Sequence, residues 1–192
     1  RSSIPACPSH RYGDASTSRS LREDDRLRPI SAYGLMKMMT EEYLRVISTL
    51  YGLPVFVLRC SNAYGPWHQG TGQGALNVFL QKMRNNETIH IWGDGSQTRD
   101  YVFVNDVVRA IQQAASRVPQ SGFDVLNVGS GVGTSLLRAL DAMRSMTRID
   151  PVIQFHPSRV VDVRSNILNI EKMRRELDWQ PTVSFEDGLQ KT

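Results

Sequence analysis

Pro54 is followed by Val55-Phe56-Val57-Leu58, a short and wholly apolar run. Such a run suits a strand buried on both faces, as in a parallel sheet whose two sides are covered by crossover helices. What precedes it fits that reading. From Tyr33 onward, Met36, Met39, Tyr43, Ile47 and Leu50 recur at helical spacing, and Gly52 ends the pattern. The same alternation continues downstream. Leu76 to Met83 reads as a helix, Thr88 to Trp92 as a short strand, and Gly93-Asp94-Gly95-Ser96 as a turn. Tyr101 to Val104 is strand-like, Asp106 to Ala115 helical, and Val125 to Val128 a strand. Ser135 to Met146 reads as a helix capped by Thr134 or Ser135, and a last helix runs from about Ile170 to Leu177. Residues 1–32 and the segment from Cys60 to Gly74 read as loops. Alternating strands and helices predict an α/β fold with a mainly parallel sheet.

Composition narrows the function classes. The chain has 192 residues, 40% apolar and 22% charged, enough to bury a core. No run approaches about 18 apolar residues, so no membrane-spanning helix is expected. The N-terminus carries no initiator Met and no apolar segment of signal-peptide length, and it reads as starting inside a longer pattern. Cys7 and Cys60 are too few for a disulfide framework or a zinc site, which makes a reducing cytoplasm the default. The net charge of +4 comes from scattered arginines. A nucleic-acid binder carries a basic stripe with interleaved aromatics, so a solvated surface with a few anion-binding arginines is expected instead.

Tyr33 and Lys37 stand four positions apart, on one face of the first helix. An ammonium beside a phenol favours the phenolate, and a phenolate near neutral pH can act as general base toward a hydroxyl. The same spacing also arises by chance, as a half-buried Tyr and an exposed Lys. The surrounding sequence separates the two readings. Arg28-Pro29-Ile30-Ser31-Ala32-Tyr33-Gly34-Leu35-Met36-Lys37 resembles the P-x-S-x-Y-G-x-x-K segment of the extended short-chain dehydrogenases, in particular their NAD-dependent epimerase/dehydratase branch. Val57 to Pro66 is similar to that family's LRxxNxYGP segment, and Trp92 to Val104 to its GDGxQxRDxxxV segment. Asn127-Val128-Gly129-Ser130-Gly131 matches NVGSG, and Arg159 with Asp162 resembles the C-terminal substrate region. The motifs stand in the family's order from about residue 12 to the end.

The resemblance implies a nucleotide-sugar enzyme that holds NAD, closest to UDP-sugar 4-epimerases working through a 4-keto intermediate. It implies Tyr33 as the general base and acid, with Lys37 binding the nicotinamide ribose and tuning Tyr33. The backbone around Ser61 is implied to lie near the nicotinamide. Asn62 is implied to contact the sugar-nucleotide phosphates, His90 to Trp92 to flank the base, and Arg99 and Arg159 to pair with the diphosphate. A guanidinium forks onto phosphate oxygens, which makes the last assignment physically sensible. A partial Rossmann-like sheet is implied over residues 1–66, and a mainly substrate-binding lobe over 67–192 with segments returning to the sheet. A homodimer through the Tyr33 helix is also implied.

Two departures limit what the resemblance implies. The family's glycine-rich turn and acidic ribose-binding residue lie upstream of position 1. Gly129-Ser130-Gly131-Val132-Gly133 is no substitute, because its spacing is G-x-G-x-G and no acidic strand end follows at the required distance. Position 8 is Pro8, where the family carries the Ser or Thr that bonds the reacting sugar hydroxyl. Ser9 and His10 occupy the positions where dehydratases and decarboxylases keep their acids, which favours epimerase over 4,6-dehydratase or decarboxylase. A non-catalytic remnant that keeps a nucleotide-sugar-binding lobe is the alternative of another class.

Overall fold

A computed structural model describes residues 2–6 as backbone, together with residues 12, 19–66, 74–158 and 163–192. The first elements are β1 (Ser2–Ala6), α1 (Ala32–Tyr51), β2 (Val55–Cys60), β3 (Asn62–Tyr64), α2 (Ala75–Arg84), β4 (Ile89–Trp92) and β5 (Thr98–Phe103). They are followed by α3 (Val104–Ser116), β6 (Phe123–Val128), β7 (Gly133–Ser135), α4 (Leu136–Thr147), β8 (Ile153–His156), β9 (Ser165–Asn166), α5 (Glu171–Leu177) and α6 (Phe185–Gln190). No described helix is long and apolar enough to cross a membrane.

The apolar run of β2 is the centre of a parallel sheet ordered β1-β2-β6. Every residue of β2 is buried. Phe56, Leu58 and Cys60 enter a core shared with Val107, Ala110 and Ala114 of α3 and with Met173, Leu177 and Trp179 in and after α5. Arg59 points to the other face, toward α1, where its guanidinium meets both carboxylate oxygens of Glu41 and donates to the Tyr12 hydroxyl and the Glu23 carbonyl. Burial opposes that cation, yet the Glu41 carboxylate and Tyr12 hold its pKa above the ordinary arginine value. A second core gathers α2, β4, β5 and α4 around Phe79, Ile91, Phe103 and Leu140.

Several segments differ from the sequence reading. Residues 2–6, expected as loop, pair in parallel with β2. Ladder bonds from the flank of β2 make that strand, and Pro5 is tolerated because the strand is the edge of the described sheet. Asn62–Tyr64, also expected as loop, is drawn into a strand by β5. Three residues are too few to show a period. The pairing is not uniformly parallel, since β5 and β7, in a separate sheet with β3, run antiparallel. The helix ending at Leu177 is not the last, because Ser184 caps α6 by accepting from the Asp187 N–H.

The stripe that predicts α1 does not face the sheet. The buried positions of this helix are Gly34, Glu41 and Ser48. Glycine admits close approach, Glu41 is matched by Arg59, and the Ser48 hydroxyl donates at 2.7 Å to the Leu53 carbonyl. Met36, Met39, Tyr43 and Leu50 are 53–68% exposed.

Asp106, in the first turn of α3, anchors the C-terminal segment. Its carboxylate accepts from the N–H groups of Thr182 and Val183, the Thr182 hydroxyl and Arg109, while the Trp179 indole N–H donates at 3.0 Å to its carbonyl. Burial alone would raise its pKa, but Arg109 and the Val183 and Thr182 donors outweigh that and hold it below the usual carboxylate range. A depressed pKa contributes stability that is complete above the unfolded value and lost as pH falls through the folded one. Urea unfolding of Asp106→Asn should therefore show a loss of about 3 kcal/mol at neutral pH. The gap to the unsubstituted protein should close steadily as the pH is lowered through the carboxylate range, and a gap constant with pH would contradict this anchoring role.

Candidate active site

Strand β5 positions the site because its alternation sends neighbouring side chains to opposite faces. Asp100 points inward and is 1% exposed. Its carboxylate accepts from the Ser130 N–H and hydroxyl at 2.7 Å each, the Gly131 N–H at 3.2 Å, the Leu168 N–H at 3.1 Å and the Ser61 hydroxyl at 3.3 Å. Burial raises the Asp100 pKa, and these donors only partly oppose the rise. The Gly129–Gly133 turn thus closes on a carboxylate of the protein itself.

Arg99 and Tyr101, the neighbours of Asp100, contribute to the wall of a cavity of about 440 Å³. Asn62, His90 and Trp92 line the same cavity, and Phe79 and Val78 of α2 supply an apolar side. Asn62 arrives there because β3 pairs with β5 in the register Asn62↔Tyr101. His90 and Trp92 alternate with the buried Ile89 and Ile91 along β4. Lys82 also lines the cavity, with its ammonium donating at 2.8 Å to the Thr88 carbonyl. Burial pushes the Tyr101 phenol up to about 12 against the opposing charge of Arg99. Cations, an amide and aromatic rings around an apolar hollow suit a ligand with an anionic part and a planar part.

Tyr33 and Lys37 lie in the opening turns of α1, which Ser31 caps by accepting from the Gly34 N–H at 3.1 Å. The Lys37 ammonium stands over the Tyr33 ring, 5.5 Å from its centroid. Because α1 connects the parallel strands β1 and β2, its first turn lies at their carboxyl ends, where a doubly wound fold binds ligands. Ser61 follows β2 at that same end and is 4% exposed, its N–H donating at 2.7 Å to the Val128 carbonyl.

The structure brings Asn62, His90, Trp92 and Arg99 into one wall. Tyr33, Lys37 and Ser61 stand outside that wall, with Ser61 adjacent in sequence to Asn62. Arg159, and the positions of Pro8, Ser9 and His10, lie outside the described residues. Sequence reasoning missed Lys82 and Tyr101 in the cavity, and Asp100 behind it. Tyr101 and Asp100 were inside a quoted motif, but only the strand's alternation assigns their faces. Tyr12, in the segment expected as loop, is a buried phenol donating at 3.1 Å to Asn127, and burial raises its pKa to about 12.

The profile of the NAD dependent epimerase/dehydratase family matches residues 6–129. A UDP-glucose 4-epimerase of Mycolicibacterium smegmatis is 37% identical over 171 residues, which cover 88% of this chain and 54% of its own length. The crystal structure of a UDP-glucose 4-epimerase from Thermotoga maritima with UDP-glucose superposes with a TM-score of 0.92 at 36% identity, over 99% of this chain and 61% of that one. MoeE5 in complex with UDP-glucose and NAD superposes with a TM-score of 0.91 at 29% identity, over 98% and 62% of the two chains. The chain spans about half the length of the curated relatives it matches.

The turn around Asp100 can be checked without any ligand. A Cβ on Gly129 would stand 2.4 Å from Asp100 Oδ2. Gly129→Ala is expected to lower stability by about 2–3 kcal/mol in thermal or urea unfolding, because overpacking must displace a carboxylate fixed by its donors. Gly129 is not among the glycines at positive φ, so Gly129→Ala carries no left-handed backbone cost, and an unchanged stability would mean that the contact with Asp100 adds nothing.

Proposed function

This chain belongs to the NAD dependent epimerase/dehydratase family, and from that membership we propose that it is the catalytic and substrate-binding part of a nucleotide-sugar 4-epimerase acting on a UDP-sugar. The observation that carries the reading is the shared wall of Asn62, His90, Trp92 and Arg99, one residue along the chain from Ser61. In this reading Arg99 and Arg159 fork onto the diphosphate oxygens and Asn62 donates its amide to them. Trp92 and His90 flank the base. The Tyr33 phenol takes the proton of the sugar 4-hydroxyl and later returns it. Lys37 keeps a positive charge beside that phenol and so lowers the cost of the phenolate.

The residues present fit the nicotinamide-ribose end of an NAD site. Tyr33, Lys37 and Ser61 meet the carboxyl end of a parallel sheet, the usual crevice for such a ligand. Bound NAD supplies the hydride exchange at the sugar carbon. Residues 1–66, joined by β6, make the cofactor side in this proposal, and most of 67–192 makes the substrate lobe. Two cysteines in 192 residues suit a cytoplasmic setting.

The exposed stripe of α1 supports a homodimer. Met36, Met39, Tyr43, Val46 and Leu50 are each at least 50% exposed and follow one another at helical spacing, an apolar stripe of the kind that marks an interface. Sedimentation should find a dimer at micromolar concentration, and Tyr43→Glu should shift it to monomer. A monomer at every concentration would remove α1 as an interface.

Chemistry and binding separate in two variants. With UDP-glucose and NAD supplied, Tyr33→Phe should keep UDP affinity but slow formation of the 4-epimer by about a hundredfold or more. Arg99→Ala should weaken UDP binding by about 1.5–3 kcal/mol in calorimetry. Absence of UDP binding by the unsubstituted protein would sink the reading, and full epimerisation by Tyr33→Phe would remove Tyr33 as the base.

A further inference from the structure

His156 does not line the cavity, yet it touches both aromatic residues of its β4 wall. It lies on β8, paired in parallel register with Trp92. Its Nε2 is 2.9 Å from His90 Nδ1, and its ring stacks on the Trp92 indole with centroids 5.3 Å apart and planes 24° apart. We propose that His156 is a positioning residue that fixes His90 and Trp92 as the platform for the ring of the nucleobase. The proposal rests on the nucleotide-sugar reading above and adds to it a residue outside the wall.

Two physical effects carry the inference. A single hydrogen bond between facing imidazole nitrogens holds one proton between them. If His156 donates, the neutral His90 keeps its own proton on the outer nitrogen and offers a donor there. If His90 donates, its outer nitrogen is an acceptor. In both cases His156 fixes the orientation and the tautomer of a cavity residue. The second effect is the stack. Trp92 is 38% exposed, and a surface indole has rotamer freedom that one ring packed flat against it removes. A platform that is already ordered costs less to bind against. Arg99 stands on β5 and His90 and Trp92 on β4, so the effect of His156 should fall on the base and spare the phosphates.

That division is the test. UDP and inorganic pyrophosphate are titrated separately into the unsubstituted protein, His156→Ala and His156→Phe by calorimetry. His156→Ala should weaken UDP about tenfold, leave pyrophosphate within about twofold, and shift tryptophan emission. His156→Phe keeps a flat ring against Trp92 without the bond to His90, and should recover part of the UDP affinity. Unchanged UDP affinity in His156→Ala overturns the proposal. So does an equal loss for UDP and pyrophosphate, which would mark general damage to the lobe. If the unsubstituted protein binds pyrophosphate but not UDP, the nucleotide reading falls and the role of His156 falls with it.

Discussion

A carboxylate buried at 1% exposure must be matched by donors, and Asp100 draws them from the end of β2, the turn after β6 and the segment after β9. These segments are distant in sequence; ladder bonds already join the ends of β2 and β6, and Asp100 ties the segment after β9 to both. Hydrogen bonds are directional where packing is not, so the carboxylate sets how the three meet. Burial raises its pKa and the donors restrain it, which makes the arrangement costly to leave half-formed. Because β5 alternates, fixing Asp100 inward also fixes Arg99 and Tyr101 toward the cavity.

Arg59 acts in the same way on the opposite side of β2. Its bonds to Glu41, Tyr12 and the Glu23 carbonyl bind α1 and the preceding loop to the sheet. Glu41 therefore does what an apolar residue does on an ordinary sheet-packing helix. The consequence is an α1 that buries Gly34, Glu41 and Ser48 and leaves Met36, Met39, Tyr43 and Leu50 exposed. Tyr33 and Lys37 depend on that anchoring, since they occupy the first turns of the helix that the Glu41–Arg59 pair ties to the sheet.

Much of the fold could be read from the residues because it depends on local period. The apolar run of β2, the α1 pattern with its Gly52 stop, and the Ser135 cap of α4 all fall within a few positions of the expected ones. What the period missed were β1, β3, β7, β8, β9 and α6, each six residues or shorter. In β1 and β3 the partner strand, not the segment's own side chains, decides the conformation. The Gly129–Gly133 turn shows the other limit. Its glycines resemble a phosphate cradle, but the anion they enclose is Asp100, thirty residues earlier in the case of Ser130.

The sequence alone determined the fold class, the family resemblance and the residue types available for chemistry, because order, spacing and side-chain chemistry are properties of the chain. It also named Asn62, His90, Trp92 and Arg99, although nothing local joins them. Tertiary structure decided that these residues share one wall, that Tyr101 and Lys82 belong beside them, and that His156 stands behind His90 and Trp92. It decided as well which face of α1 is buried. Each of these depends on strand register and on which buried charge finds which partner, and both are set by contacts between segments far apart in the chain.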